Sequence, residues 1–420
     1  MHLFHGCQLK IAACSRFRYG NRVMKERRIN SNTIRRINAT RVFHAIRRAP
    51  GISPQDLSKT TGIDLATISI ILSTLEQGGL IIRTLRSRTG KSGRPNSVLS
   101  INEAAGILAG VSIDITKIQV VLCSYAGTIL AQTTRPGSLE VDDVVNTVMS
   151  SILSLLEQVE SSRDRLTGVG VGIAGLVGLD GRLALAPAFD WHDIDFGGLL
   201  SSRLGVPVHL ENDIKAAANA ESLFGAQTQE ADFIYVSGRM GIGGGFYLSG
   251  GLYRGPYGMA GEVGHMKLIP GGRQCTCGGR GCFETYVSEK AIFDSLRSSG
   301  LHFPDLAALH AAALRETPEI SAVLAQSGQY LGLGLANLAN IFAPSSIVLG
   351  GIFAVLAEFL LPTAQAVFAA NTLKEIHRDV TLAISTLGDA AIPMGGVAIA
   401  LQDFLEEPPS GVVNLIAPPR

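Results

Sequence analysis

GHMKLIPGGRQCTCGGRGC, residues 264–282, places one imidazole, His265, ahead of three thiols, Cys275, Cys277 and Cys282, packed into eight positions. Three thiolate-capable ligands and one nitrogen are what a closed tetrahedral zinc site needs. Glycines at 278, 279 and 281 let the backbone double back so that Cys282 can join the other two. With all four positions filled by protein, no coordination site is left for a reactive water, so the metal is expected to be structural Zn2+. A disulfide pair or ordinary buried thiols are the competing readings. Only six cysteines in 420 residues speak for a reducing compartment and against a disulfide framework.

Outward from this cluster, 46% hydrophobic and 6% aromatic residues suffice for large cores and for two or three domains. The apolar stretch from Leu331 to Leu361 is broken by Asn337, Asn340, Pro344, Ser345, Ser346 and paired glycines. It reads as helix, turn and buried strand rather than a membrane span. Residues 1 to 23 carry Lys10, Arg16, Arg18 and Arg22 without a long apolar core, unlike a secretory signal. A cytoplasmic protein with no membrane association is the expectation. Met24 opens the charged segment MKERRINSNTIRRIN and is an alternative translation start to Met1.

The net charge of +1 hides a division. Residues 1–100 hold 18 Lys and Arg against 4 Asp and Glu, a net +14; residues 101–420 hold 18 against 31, a net −13. A basic head on an acidic body predicts that the head meets a polyanion. In the head, Val42, Phe43, Ala45 and Ile46 form a helical stripe between Asn38 and Arg47, ended by Pro50 and Gly51. Ser53 can cap a second helix, Gly62 supplies a tight turn, and Asp64 caps a third through Ile68, Ile71, Leu72 and Leu75. That third helix is the recognition candidate, with Thr67, Ser69 and Ser73 as residues that could reach base edges. Strands at Leu80–Thr84 and Ser97–Ile101 would flank a wing. Arg83, Arg86, Arg88, Lys91 and Arg94 concentrate five cations in twelve residues there, suited to phosphate or minor-groove contact. The competing reading is a flexible basic linker.

After residue 106 the chain alternates Val/Ile-rich strands, Ala/Leu-rich helices and glycine turns, an α/β pattern. Related strand-turn-strand starts at GILAGVSIDITKIQVVLCSYAGTILAQTT and ADFIYVSGRMGIGGGFYLSGGLY suggest two lobes with a cleft between them. The expected layout is a basic extension at 1–30, a winged helix-turn-helix at 31–102, lobes at 106–230 and 231–406, and a tail at 407–420.

From about Asn38 onward the chain resembles the ROK family of repressors, open reading frames and kinases, in its DNA-binding branch. The carriers are ENDIKAAANAE at 211–221, GIGGG at 241–245, AGEVGHMKLIP at 260–270, CTCGGRGCFE at 275–284 and the winged head. The resemblance implies a two-lobed actin-like (ribonuclease H-like) ATPase/sugar-kinase fold behind the head. It implies sugar contacts from Asn212, Asp213, Glu262, His265 and Glu284, which suits the alternating donors and acceptors of a pyranose. Asn212 and Asp213 also fit a helix N-cap, and Glu262 a solvated loop carboxylate. His265 would offer one ring nitrogen to the metal and the other to the sugar.

In kinases of this family Asp213 would be the general base. Their Asp-x-Gly-Gly-Thr-Lys loop is here Ser112-Ile113-Asp114-Ile115-Thr116-Lys117, and Arg239 and Met240 replace a Gly-Thr pair before GIGGG. Side chains and a carboxylate then stand where backbone amides should cradle phosphate, so no catalytic activity is expected. Ala188 stands where kinase relatives often have a sugar-contacting asparagine. The resemblance implies a sugar-responsive regulator, a repressor in most of this branch. It would bind operator DNA and a monosaccharide or sugar phosphate, as a homodimer or homotetramer. The alternative is an ATP-dependent sugar kinase with a DNA-binding head.

Overall fold

The computed structural model describes residues 31–86, 96–228, 230–238, 241–315 and 317–406. The expected extension at 1–30, the tail at 407–420, wing residues Arg88, Lys91 and Arg94, the side chain of Arg86, and Arg239 with Met240 lie outside the described residues.

The head is a winged helix-turn-helix. Helices α1 (Ser31–Arg48), α2 (Pro54–Thr61) and α3 (Leu65–Gln77) precede a hairpin of β1 (Ile81–Arg86) and β2 (Asn96–Ile101). Ser53 caps α2 by accepting from the Asp56 amide at 3.2 Å. Gly62 ends it at φ +69°, a left-handed conformation that glycine adopts without strain. Asp64 then caps α3, accepting from Ala66 N at 3.0 Å and Thr67 N at 2.9 Å. Val42, Phe43, Ile46, Leu57, Ile68, Leu72, Leu75 and Leu99 close one apolar core. Helix α1 begins seven residues before the predicted Asn38, because its first turns lack an apolar stripe: Ile34 and Ile37 are each 50% exposed.

The body carries the same five-stranded arrangement twice. In the first lobe, β3 (Ile107–Ile113), β4 (Lys117–Ser124) and β5 (Ile129–Pro136) run antiparallel. Helix α4 (Val141–Gln158) follows, then β6 (Leu166–Ile173), a small sheet of β7 (Leu176–Val177), β8 (Leu183–Ala186) and β9 (Trp191–Ile194), helix α5 (Phe196–Leu204) and β10 (Val208–Asn212). The large sheet has the order β10-β6-β3-β4-β5, with β6 parallel to both neighbours. Helix α6 (Asp213–Phe224) leads to the second lobe.

There β11 (Phe233–Gly238), β12 (Ile242–Leu248) and β13 (Gly251–Tyr253) repeat the antiparallel start. Helices α7 (Glu284–Val287), α8 (Glu289–Ser298), α9 (Leu306–Ala313) and α10 (Pro318–Phe342) follow, then β14 (Ser346–Leu349), α11 (Ile352–Val355), α12 (Ala357–Asn371), α13 (Lys374–Asp379) and β15 (Thr381–Ile384). The order β15-β14-β11-β12-β13 matches the first sheet strand for strand. Helix α10 and strand β14 realise the predicted helix, turn and buried strand. Among the described residues no helix is long and apolar enough to cross a membrane.

The last helix, α14 (Ala391–Glu406), departs from the expected second lobe at 231–406, because the chain returns to pack on β3, β6 and α6 of the first. Glycines make this approach: a Cβ on Gly170 would overlap the Gly396 carbonyl, and one on Gly395 would overlap the backbone of Ala216 in α6. Helix α14 also reaches the head core, where Phe404 and Leu405 join the apolar cluster and the Phe404 ring lies 4.7 Å from Tyr125.

Candidate functional site

Two chain reversals build the cluster from which the sequence reading began. Lys267 bridges Cys282 and Gln274 bridges Arg280 as isolated antiparallel pairs, with Gly278 at φ +86° and Gly281 at φ +75° at the turns. One ligand atom from each of His265, Cys275, Cys277 and Cys282 lies within 4.8 Å of every other. The Cys277 and Cys282 sulfurs are 3.7 Å apart, too far for a disulfide. That separation suits two thiolates on one tetrahedral zinc with Zn–S bonds of ~2.3 Å. His265 Nδ1 faces Cys275 Sγ at 3.7 Å, and Lys267 Nζ donates to Cys282 Sγ at 2.7 Å. The donor set therefore fits zinc. Burial and its bond to Glu284 push the Cys275 thiol up to about 12, and binding a metal would displace that proton.

Glu284, the first residue of α7, touches this cluster. Its Oε1 accepts from Cys275 Sγ at 2.8 Å and lies 3.5 Å from His265 Nδ1. Its Oε2 points along Gly241 and Gly264. Glu262 precedes the turn that carries His265; burial of its carboxyl raises its pKa, while Lys215 and His265 oppose the rise.

Helix α6 starts at Asp213, with Asn212 just before it. Asn212 is the N-cap, accepting from Ile214 N and Lys215 N at 3.1 Å each, and its amide donates to the Gly175 carbonyl at 3.1 Å. The capping role is thus realised, and one amide hydrogen is left beyond the Gly175 bond. Asp213 accepts from Ile214 N at 2.9 Å. Burial raises its carboxyl to about 6, with the charges of Asp114 and Glu262 adding to the rise. The charge of Glu262 is felt by Asp213, and those of His265 and Glu284 by Glu262, so these predicted residues share one electrostatic neighbourhood.

Sequence reasoning missed Lys215. It is 2% exposed, donates to the Gly258 carbonyl at 2.6 Å, and sits electrostatically among Glu211, Glu262 and Asp213. Beside it Glu211 accepts from Arg254 Nε at 2.6 Å. Both links tie α6 and its preceding strand to the loop that leads to Glu262. The available signal was a lone lysine in an alanine-rich helix, which is equally the pattern of a solvated position.

The nucleotide-loop positions are self-satisfied. Asp114 Oδ1 accepts from Thr116 N at 2.8 Å and from its hydroxyl at 2.6 Å, while Lys117 Nζ pairs with Asp389 at 3.4 Å. Ala188 is exposed on a short 3-10 turn.

In the head, the predicted DNA residues are largely bonded within the protein. Thr67 donates its hydroxyl to Asp64 at 2.7 Å, Ser69 to the Leu65 carbonyl at 2.8 Å, and Ser73 accepts from Gln77 at 3.3 Å. Arg83 pairs with Glu76 at 2.5 Å and reaches Ser97 at 3.2 Å.

Comparison with known proteins agrees with this two-part plan. The ROK family model matches residues 108–403 and the MarR family model residues 35–92. The xylose repressor of Bacillus subtilis is 29% identical over 376 residues, covering 89% of this chain and 97% of that protein. The crystal structure of a ROK family transcriptional regulator, described as a homolog of E. coli MLC protein, superposes with a TM-score of 0.77 at 28% identity. It covers 89% of this chain and 97% of its own. A ROK family glucokinase from Streptomyces griseus, solved with glucose and AMPPNP, gives a TM-score of 0.64 at 28% identity over 71% of this chain and all of its own.

Proposed function

The chain belongs to the ROK family, and from that premise we propose that it is a sugar-responsive transcriptional repressor without kinase activity. Its working units would be the head at 31–102 and the two lobes behind it. What supports this reading is the union of a winged head with a body in which Asp213, Glu262 and Glu284 share one electrostatic neighbourhood, while the loop at the nucleotide-binding position carries the Asp114 carboxylate. A monosaccharide or sugar phosphate held between α6 and the metal loop would draw the lobes together. The head packs on α14 and α6, so closure changes its placement and hence its affinity for operator DNA. Two heads in a homodimer or homotetramer would read an inverted repeat.

Zinc is the proposed cofactor, held by His265, Cys275, Cys277 and Cys282. Its contribution is structural: it fixes the loop from which His265 and Glu284 face the sugar. One zinc per chain by elemental analysis, lost in Cys277→Ser, is expected; metal-free wild-type protein with the same sugar affinity overturns the link between the metal and the sugar site.

The test of the whole reading is fluorescence anisotropy of the full chain on duplexes selected from a random pool, titrated with D-xylose and D-glucose and their phosphates. DNA affinity that changes with one of them supports it. Affinity indifferent to every sugar and flat with salt overturns it. The kinase reading keeps one favourable observation, the retained Asp213. Sugar-dependent ADP release abolished by Asp213→Asn would establish it.

A further inference from the structure

Helix α3 turns Ile68, Ile71, Leu72 and Leu75 into the core of the head. Opposite them, at the spacing of one helical face, stand Leu65, Ala66, Ser69, Ile70 and Ser73. This is the face a recognition helix presents to the major groove. Its two aliphatic side chains are strongly exposed, Leu65 at 47% and Ile70 at 50%.

The helix, LATISIILSTLEQ, contains no Lys, Arg or Asn, and its only Gln closes the last turn. Neither an arginine fork on guanine nor an asparagine pair on adenine can come from its first two turns. The hydroxyls do not fill the gap. Thr67 donates to Asp64, Ser69 to the Leu65 carbonyl and Thr74 to the Ile70 carbonyl. Each keeps only lone pairs, so it can accept from a base amino group but has no hydrogen left for a base carbonyl or ring nitrogen.

Ser73 accepts from Gln77 and keeps its hydrogen, but it stands in the third turn; what the first two turns leave on the face is methyl and methylene surface. In the major groove the matching apolar feature is the C5 methyl of thymine. Resting on the DNA-binding reading above, we propose that α3 reads its operator by apolar contact with thymine methyl groups, with Ile70 as the specificity-determining side chain. Leu65 flanks it on the same face, and Ala66 lets the helix approach closely. The half-site positions under α3 are then A·T pairs, chosen by shape and methyl burial rather than by paired hydrogen bonds.

The experiment removes one methyl at a time. Duplexes are selected from a random pool with the full-length protein, and each thymine of the selected half-site is replaced singly by uracil. At least one replacement is expected to weaken wild-type binding by about fourfold, the worth of one buried methyl. Ile70→Ser, a change at an exposed position, should keep the thermal midpoint and lose the uracil sensitivity at that thymine. Leu65→Ser should keep it. Wild-type binding that tolerates every uracil within about twofold overturns the inference, as does an Ile70→Ser variant as sensitive as wild type. Either result would leave base choice to the wing and to DNA shape, with DNA binding itself intact. Failure to select any duplex would overturn the DNA-binding reading and this inference together.

Discussion

The Arg47 guanidinium lies over the Phe224 ring, 4.9 Å from its centroid, and donates from Nη2 to the Leu223 carbonyl. The last turn of the first head helix is thereby fastened to the last turn of α6, whose first residue is Asp213. One helix thus has a proposed sugar residue at one end and the head at the other. Arg47→Met should keep the apolar stem and lose the charge and the stacking, weakening head attachment by about 1–2 kcal/mol. The readout is faster hydrogen exchange in α1 with unchanged exchange in α10. Unchanged exchange in α1 would assign the attachment to Phe404, Leu405 and their apolar neighbours instead.

Asp213 yields a pH-dependent prediction. Its folded pKa of about 6 lies above the ordinary aspartate value of 3.8, so the fold favours the protonated acid. That preference is fully present below the lower value and is lost as pH rises through about 6. At pH 8 the ionised Asp213 is therefore a cost. Asp213→Asn, which can retain the bond from Ile214 N, is expected to raise the thermal midpoint at pH 8 and leave it unchanged near pH 4, with a gain of up to about 2 kcal/mol. An equal effect at both pH values would trace the change to capping rather than to charge.

Local chemistry was legible in the sequence wherever one residue type has one backbone use. Ser53, Gly62 and Asp64 mark the helix boundaries of the head because caps and left-handed turns admit few alternatives. The His265–Cys282 stretch was legible because its ligands lie close in sequence and its glycines allow the reversal. The return of α14 to the first lobe was not. Packing over more than two hundred residues leaves no periodic signal, only the unexplained glycine pair at 395 and 396. The bonds that Thr67 makes to the Asp64 side chain and Ser69 to its own helix backbone were not legible either: a hydroxyl so bonded has the same sequence signature as one that faces solvent.

Glycines of strand β6 give a sharp contrast. A Cβ at Gly170 overlaps the backbone of Gly396, whereas one at Gly168 meets Ala400 Cβ and Leu108 Cδ2 at an ordinary 3.6 Å. Gly170→Ala should therefore push α14 off the sheet and destabilise the chain by about 3 kcal/mol, while Gly168→Ala stays within about 1 kcal/mol of wild type. Urea unfolding of the two variants measures this. Equal midpoints would mean that α14 slides to absorb the extra methyl.

Lys215 sits where burial and charge pull in opposite directions. Burial lowers the pKa of its ammonium, while Glu211, Glu262 and Asp213 raise it, and its bond to the Gly258 carbonyl uses one of its three hydrogens. In Lys215→Met the stem volume is kept, but the Gly258 carbonyl loses its donor and the surrounding carboxylates lose their cation. The loss is expected at about 1–3 kcal/mol of stability, together with a looser loop from Gly255 to Gly261. Because Glu262 stands at the end of that loop, binding of whichever sugar alters DNA affinity should weaken more than the stability change predicts. Calorimetric titration at a temperature where both proteins are folded separates the two effects. A variant with full sugar affinity and only lower stability would make Lys215 a packing residue and leave the placement of Glu262 to the Arg254–Glu211 pair.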